Sequence, residues 1–215
     1  KIFKGYSNKF IKREIWNGIP IKRVWLYPAS GRGSIPRLLN YLSFSFLSFW
    51  LLLFSKRSEL IFVEAQPITL AIPALVVKYL KGIPYIYNTP DLQIEHAEEA
   101  GWIPFSFIIK IAKKMEEFLM NESLYVTVVT KSYINHFIEH RGQSIKKIKF
   151  FPNGANTKEL YQIKKDYAYM NKFGLKDHNL KIFTYAGTHA PYQGLETIIY
   201  AADLLKDRSD IVLLM

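Results

Sequence analysis

Between Leu60 and Asn88 the chain reads strand, helix, strand, and that order admits few folds. Leu60–Val63 is a short apolar run that leads into Glu64-Ala65-Gln66-Pro67. Ile68–Leu80 has the apolar spacing of a helix, with Pro73 near its first turn, and Gly82 stops it. Ile83–Asn88, IPYIYN, is the next strand, and Thr89-Pro90-Asp91 follows. Two strands joined through a helix lie parallel in one sheet, so the expected fold class is α/β. In such sheets ligands collect at the carboxyl ends of the strands, which nominates Gln66, Asn88, Thr89 and Asp91 as cleft residues.

The same logic recurs at Lys181–Lys206, a strand, a loop bounded by Gly187 and Gly194, and a helix with apolar residues at Leu195, Ile198, Ile199, Ala202 and Leu205. The first N–H groups of a helix have no internal partner and carry a partial positive charge. A diphosphate fits such a place, since Gly187 has no side chain to keep it from the backbone; the resemblance given below adds Thr188, His189, Gln193 and Gly194 to this site. The alternative is an ordinary strand-to-helix turn that binds nothing. Neither a Walker loop nor the dinucleotide fingerprint is present.

Elsewhere, Ile21–Tyr27 reads as a strand after the Asn17-Gly18 turn. Leu38–Phe54, LLNYLSFSFLSFWLLLF, is apolar almost all round, with Arg37 before it and Lys56 and Arg57 after it. Such a helix is a core helix, an interfacial helix or a membrane span; at about 25 Å it is slightly short for the last. Glu95–Gly101 is a loop or short helix. Phe107–Met120 is amphipathic, with Phe107, Ile108, Ile111, Met115, Phe118 and Leu119 as its expected packed face. Leu124–Thr130 and Lys146–Phe151 are strands around a helix, Lys131–Arg141, that ends at Gly142. Pro152-Asn153-Gly154 forces a turn, which sets expected domains at 1–152 and 153–215. Residues Thr157–Asn179 read as polar and irregular, with a few helical turns.

Charge separates the same two parts. Residues 1–150 hold 21 Lys and Arg against 11 Asp and Glu, a net of +10; residues 151–215 hold 8 against 7, a net of +1. A basic surface suits anionic lipid or nucleic acid, or is simply solvated. Cysteine is absent, which excludes a disulfide framework and thiolate metal sites. The chain starts without Met and finishes on DIVLLM, a buried-strand pattern, so it is expected to be an internal stretch of a longer protein.

Pro152-Asn153-Gly154 followed by Tyr185-Ala186-Gly187-Thr188 and Gln193-Gly194-Leu195 resembles glycosyltransferase family 4. Asn17-Gly18-Ile19 before Arg23-Val24, Arg37 with Asn40-Tyr41 and Ser43-Phe44, and Lys81-Gly82-Ile83-Pro84 before Asp91-Leu92 and Glu95 resemble its O-antigen and colanic-acid branch. The resemblance implies a GT-B fold: a partial Rossmann-like acceptor domain lacking its start, then the first portion of a second Rossmann-like domain for a nucleotide-sugar. It places the family's first strand before Lys1 and most of the second domain beyond Met215, so this stretch alone is expected to be inactive.

The implied activity moves a sugar, with retention, from a nucleotide-sugar donor to a lipid-linked saccharide acceptor in cell-surface polysaccharide synthesis. No cofactor or metal is expected. Asp91 or Glu95 accepts a hydroxyl's proton or holds a sugar hydroxyl; alternatively Asp91 caps the next helix. Arg37 faces an acceptor phosphate or forms a surface ion pair, while Gln66, Asn88 and Thr89 bind acceptor. Departures from the family pattern are Pro90 in place of a frequent histidine, Gln93-Ile94 in place of a common Trp-Pro, and Gln193 in place of a frequent lysine. His189 is the one titratable residue of its loop; it assists the phosphates or is solvated. A lipid-carried acceptor would account for both the basic first part and the apolar Leu38–Phe54 helix, and implies attachment to an anionic membrane at the inner face of a bacterial plasma membrane. The rival readings are a non-catalytic membrane- or nucleic-acid-binding module and another GT-B-shaped enzyme such as a nucleotide-sugar epimerase. Against nucleic acid, the aromatic residues sit in apolar runs and do not alternate with Lys and Arg.

Overall fold

The computed structural model describes residues 9–29, 34–56, 58–176, 179–189 and 193–215. They fall into two units, Lys1–Glu98 with Ile103–Asn153, and Glu99–Trp102 with Gly154–Met215. The first unit opens on a hairpin, β1 (Ile11–Trp16) and β2 (Ile19–Val24), paired antiparallel. Its two-residue turn has φ 50° at Asn17 and 81° at Gly18, the left-handed pair that Asn-Gly supplies. The sequence reading missed β1 because Lys12, Arg13 and Glu14 break its apolar pattern.

A long helix, α1 (Ser34–Leu53), follows. Asn40 Nδ2 donates to the Tyr27 carbonyl at 2.6 Å, and Ser43 Oγ accepts the Tyr27 N–H at 2.8 Å, so the strand exit is tied to the helix. Then come β3 (Ile61–Glu64), a 3₁₀ turn (Ile68–Leu70), α2 (Ala71–Lys81) and β4 (Tyr85–Thr89). Pro73 sits in the first turn of α2, and Gly82 closes it at φ 68°. Lys81 Nζ reaches the Leu52 and Ser55 carbonyls at 3.3 Å and so caps the end of α1. After α3 (Gln93–Glu99) and α4 (Ser106–Glu122) the unit ends with β5 (Tyr125–Val128), α5 (Lys131–Arg141) and β6 (Ile148–Phe150).

Strands β3, β4, β5 and β6 form one parallel sheet in that order. Each crossover moves one strand onward in the same direction, so right-handed connections put α2, α4 and α5 on one face. That face holds the core: Tyr85, Tyr87, Val126 and Val128 from the strands meet Val77, Leu119 and Phe137 from the helices, all nearly inaccessible. Each such side chain contributes roughly 1.5–3 kcal/mol by burial. The opposite face carries Phe62, which is 50% exposed, and Tyr125, with Ile86 of β4 in register between them.

Helix α4 packs only part of the face its pattern suggests: Leu119 is buried and Met115 lies against the core, as expected. Ile109, Glu116, Leu119 and Met120 are buried, whereas Phe107, Ile108, Ile111 and Phe118 are exposed. The helix carries two apolar stripes, and a buried glutamate marks the packed one. Helix α1 is likewise two-sided. Phe49 and Leu52 pack on the core, while Ile35, Leu38, Leu42, Phe46, Trp50 and Phe54 form an exposed apolar stripe. Among the described residues, no helix is long and apolar enough to cross a membrane.

In the second unit, α6 (Tyr167–Asn171) precedes the parallel pair β7 (Lys181–Thr184) and β8 (Ile211–Leu214), joined through α7 (Glu196–Leu204). None of its described residues is buried. Local stability follows buried contacts. Hydrogen exchange on the chain should therefore find the slowest amides in β4 and β5 and fast exchange throughout 154–215. Equal protection in the two units would contradict this assignment of the core.

Candidate functional site

The carboxyl ends of β3, β4 and β5 carry a ladder of polar side chains. Glu64, Asn88 and Thr127 stand in register on neighbouring strands, so their side chains point to the same face. Asn88 Nδ2 donates to Glu64 Oε2 at 2.7 Å, and Thr127 Oγ1 donates to Asn88 Oδ1 at 2.7 Å. Asn88 and Thr127 are both buried, and a buried amide needs such partners. Thr89 is also buried. Its hydroxyl donates to the Asp91 carbonyl at 3.0 Å.

Asp91 is the most heavily fixed residue of this end. Its carbonyl also accepts from Gln66 Nε2 at 2.7 Å. Its Oδ1 accepts from the Leu92 N–H at 2.9 Å and the Tyr133 hydroxyl at 3.3 Å, and lies 3.2 Å from His96 Nδ1. The side chain nevertheless remains 47% exposed. It is a carboxylate whose orientation is set by three elements and whose surface stays open to a solute. Burial and the Asp91 charge together raise the Tyr133 hydroxyl pKa, which keeps that group a donor.

One helical turn on, Glu95 leaves α3 toward a buried guanidinium. Arg141, the last residue of α5, is only 4% exposed and pairs with both Glu95 and Glu116 of α4. The Glu95 contact is the closer; Arg141 Nε meets Glu116 Oε2 at 3.2 Å. His136 Nε2 lies 3.3 Å from Glu95 Oε1, and the Tyr87 hydroxyl donates to Glu116 Oε1 at 3.5 Å. Burial raises the Glu116 carboxyl to about 7 against the lowering by Arg141, whose closer partner is Glu95. Glu95 thus acts here as an anchor for Arg141 and His136.

The residues nominated from sequence divide as follows. Gln66, Asn88, Thr89, Asp91 and Glu95 come together at one end of the sheet. Arg37 lies in the first part of α1, one turn before Asn40 and Tyr41, which share a small pocket of ≈ 190 Å³ with Gln66, Pro67 and Leu70. Gly187, Thr188, His189, Gln193 and Gly194 belong to the second unit. There the Tyr185 hydroxyl donates to the Thr188 carbonyl at 3.0 Å, and its ring lies 5.7 Å from that of His189. A Cβ at residue 187 would come within 2.8 Å of that hydroxyl, so glycine there accommodates Tyr185. Gly194, at φ 59°, precedes the first turn of α7, which carries Glu196. Residues 190–192 of this loop lie outside the described residues. Among the described residues, no group of three or more His, Asp or Glu side chains is arranged to hold a metal ion.

His96, Glu116, Tyr133, His136 and Arg141 were not found from sequence. A signal existed for two of them. Arg141 follows Phe137 by four residues and Glu116 precedes Leu119 and Met120 by three and four, so both sit on inward-facing stripes.

No family model matches the chain. It is 26% identical over 214 residues to WcaI of Escherichia coli K12, named as a colanic acid biosynthesis glycosyl transferase, over 96% of this chain and 52% of that protein. Two crystal structures of Anabaena Alr3699/HepE share its fold. The complex with UDP-glucose superposes with a TM-score of 0.56 at 15% identity, over 84% of this chain and 44% of HepE. The complex with UDP and glucose gives 0.53, also at 15% identity, over 86% and 45%. The chain therefore spans about half the length of the proteins it matches. Its fold is α/β with parallel sheets, like the GT-B type expected from sequence.

The Glu116 environment sets a pH dependence. A carboxyl raised from 4.5 to about 7 in the folded chain adds stability below pH 4.5 that is lost as pH rises to about 7. Glu116→Gln holds that position neutral. Urea midpoints measured between pH 5 and 7.5 should fall less in this variant than in the parent. Identical slopes would show that Glu116 is ionised throughout.

Proposed function

We infer that the intact protein is a glycosyltransferase. It moves a sugar, with retention, from a nucleotide-sugar to a saccharide carried on a lipid diphosphate, in the synthesis of a cell-surface polysaccharide. The observation that carries this reading is the likeness to WcaI along nearly the whole chain. Two further features support it: the fixed, open carboxylate of Asp91 at the strand ends, and a fold shared with a protein crystallised with UDP-glucose.

In this reading the bond from the anomeric carbon to the diphosphate breaks while a bond to the acceptor oxygen forms. Asp91 holds the attacking hydroxyl and takes its proton. Gln66, Thr89, Tyr133 and His96 hold Asp91; Asn88 braces Glu64 and Thr127; Glu95 anchors Arg141. The backbone N–H groups of Gly187, Thr188 and Gly194, with Gln193 and His189 beside them, neutralise the departing diphosphate without a metal. Positioning of the two reactants supplies much of the acceleration.

Transfer of radiolabelled sugar from a panel of nucleotide-sugars, UDP-sugars among them, into a lipid extract tests the reading in the intact protein. Asp91→Asn should lower kcat by about 10²–10⁴, the span of a general base, with donor binding retained. Full transfer by that variant would remove Asp91 from the chemistry. No transfer from any nucleotide-sugar would reject the function.

The same reading attaches the first domain, residues 1–152, to the inner face of a bacterial plasma membrane. The exposed stripe of α1 enters the interface, and Arg37 and Lys56 at its two ends meet anionic headgroups; Arg57, the third basic residue of the sequence reading, lies outside the described residues. Each basic residue near such a surface adds about 1 kcal/mol. Leu38→Glu with Trp50→Glu, both exposed and outside the core, should abolish co-sedimentation with phosphatidylglycerol vesicles. Phe49 is unsuitable for this test because it packs on the core. Unchanged sedimentation of the folded variant would reject membrane attachment through α1.

A further inference from the structure

Glu64 is a second carboxylate open to solvent at the carboxyl end of the parallel sheet. Its Oε2 accepts from Asn88 Nδ2 at 2.7 Å, and its Oε1 has no partner among the described residues. Behind it, Asn88 and Thr127 are each only 6% exposed. A carboxylate only accepts, so Glu64 dictates which end of the Asn88 amide faces it, and the amide oxygen is left to the Thr127 hydroxyl. A fully satisfied buried network rigidifies the groups it joins. Here the group joined is a surface glutamate, whose side chain would otherwise sample several rotamers.

The surroundings of that held oxygen select a solute. Phe62 precedes Glu64 by two residues, so both side chains leave β3 on the same face. The Phe62 ring meets the Phe151 ring edge-on at 5.9 Å, and the two residues are 50% and 56% exposed. A purely apolar solute would strip water from the carboxylate and give it no donor. An anion would be repelled. A cation suits a carboxylate and a ring, but Lys149 stands in register with Thr127 on the same face, and residues 1–150 carry a net charge of +10. A neutral pyranose ring meets every condition: its hydroxyl rim donates to Glu64, and its C–H face covers phenyl carbon.

We propose that Glu64, Phe62 and Phe151 form a subsite for one neutral sugar ring, with Glu64 Oε1 accepting from a ring hydroxyl and with Asn88 and Thr127 as positioning residues behind it. In the glycosyltransferase reading above, on which this rests, the ring belongs to the acceptor. Glu64 is level with Asn88 on the adjoining strand, three residues before Asp91, and Gln66 of the same β3 exit donates to the Asp91 carbonyl. The two carboxylates divide the work: Glu64 selects the ring, and Asp91 meets the reacting hydroxyl.

Saturation-transfer NMR of the 215-residue chain with a panel of methyl pyranosides is the binding test. Transfer is expected to ring C–H protons of at least one pyranoside. Glu64→Gln keeps an oxygen for Asn88, so a glutamate that only satisfied Asn88 would be replaced without effect. Instead this variant should weaken the pyranoside about tenfold, the loss of one charge-assisted hydrogen bond, at an unchanged Tm. Phe62→Ser, at an exposed position, should weaken it similarly. In the intact protein, Glu64→Gln should raise the acceptor KM by the same factor and leave kcat and the donor KM unchanged. Thr127→Val should raise the acceptor KM a few-fold, and Thr127→Ser should restore it. The subsite is overturned by a parent chain that binds no pyranoside of the panel, by equal binding in parent, Glu64→Gln and Phe62→Ser, or by tighter binding of methylammonium than of any pyranoside. The two readings fail separately. Sugar transfer with an unchanged acceptor KM in Glu64→Gln rejects the subsite alone; pyranoside binding that Glu64→Gln weakens, without sugar transfer by the intact protein, rejects the enzyme reading alone.

Discussion

The guanidinium of Arg141 holds the candidate site together. It is almost wholly removed from water, and it reaches from the end of α5 to Glu95 on α3 and Glu116 on α4. Through Glu116 it also meets Tyr87 of the central strand β4. A buried cation with two carboxylates is a weak source of net stability, because desolvation offsets most of the attraction. Its consequence is geometric. A guanidinium has fixed donor directions, so the three helices cannot slide independently. Helix α3 begins two residues after Asp91, so whatever fixes Glu95 also fixes the backbone that presents Asp91.

The second constraint is the parallel register. Residues that end neighbouring parallel strands share a level, which is why Glu64, Asn88 and Thr127 bond across three strands. These side chains give the strand ends a rigid polar floor. Above it, Gln66 and Thr89 grip the carbonyl of Asp91, while Tyr133 and His96 meet its carboxylate. The division of labour follows burial. Side chains inside the sheet satisfy one another, and the exposed carboxylate is the group left to meet a solute.

Much of this was legible in the residues. Gly82 and Gly142 end α2 and α5 in the left-handed region, as a helix stop by glycine requires. The strand–helix–strand order placed Gln66, Asn88, Thr89 and Asp91 together because topology alone puts them at one end. What pattern could not show was which apolar residues of α4, beyond Met115 and Leu119, face inward. Apolar content favoured Phe107, Ile111 and Phe118, yet the packed stripe contains Glu116, whose partner Arg141 lies 25 residues away. A charge on a packed face is explained only by a second charge from another element, and spacing within one helix carries no information about that. The Tyr185 contact at Gly187 was hidden for a similar reason, since it depends on a rotamer and not on the glycine.

Helix α1 shows how an apolar sequence can be neither core nor span. A helix that packs on one neighbour buries about one side, and here Phe49 and Leu52 take that role. The remaining apolar residues stay in water unless something covers them, and a monomer rarely leaves so long a stripe bare without a use. Serines interrupt the apolar run of the helix at Ser43, Ser45 and Ser48. Ser43 ties the hairpin exit, while the Ser45 hydroxyl is buried without a partner among the described residues. A purely structural helix would gain from an apolar residue at that position, since burying a lone hydroxyl is unfavourable.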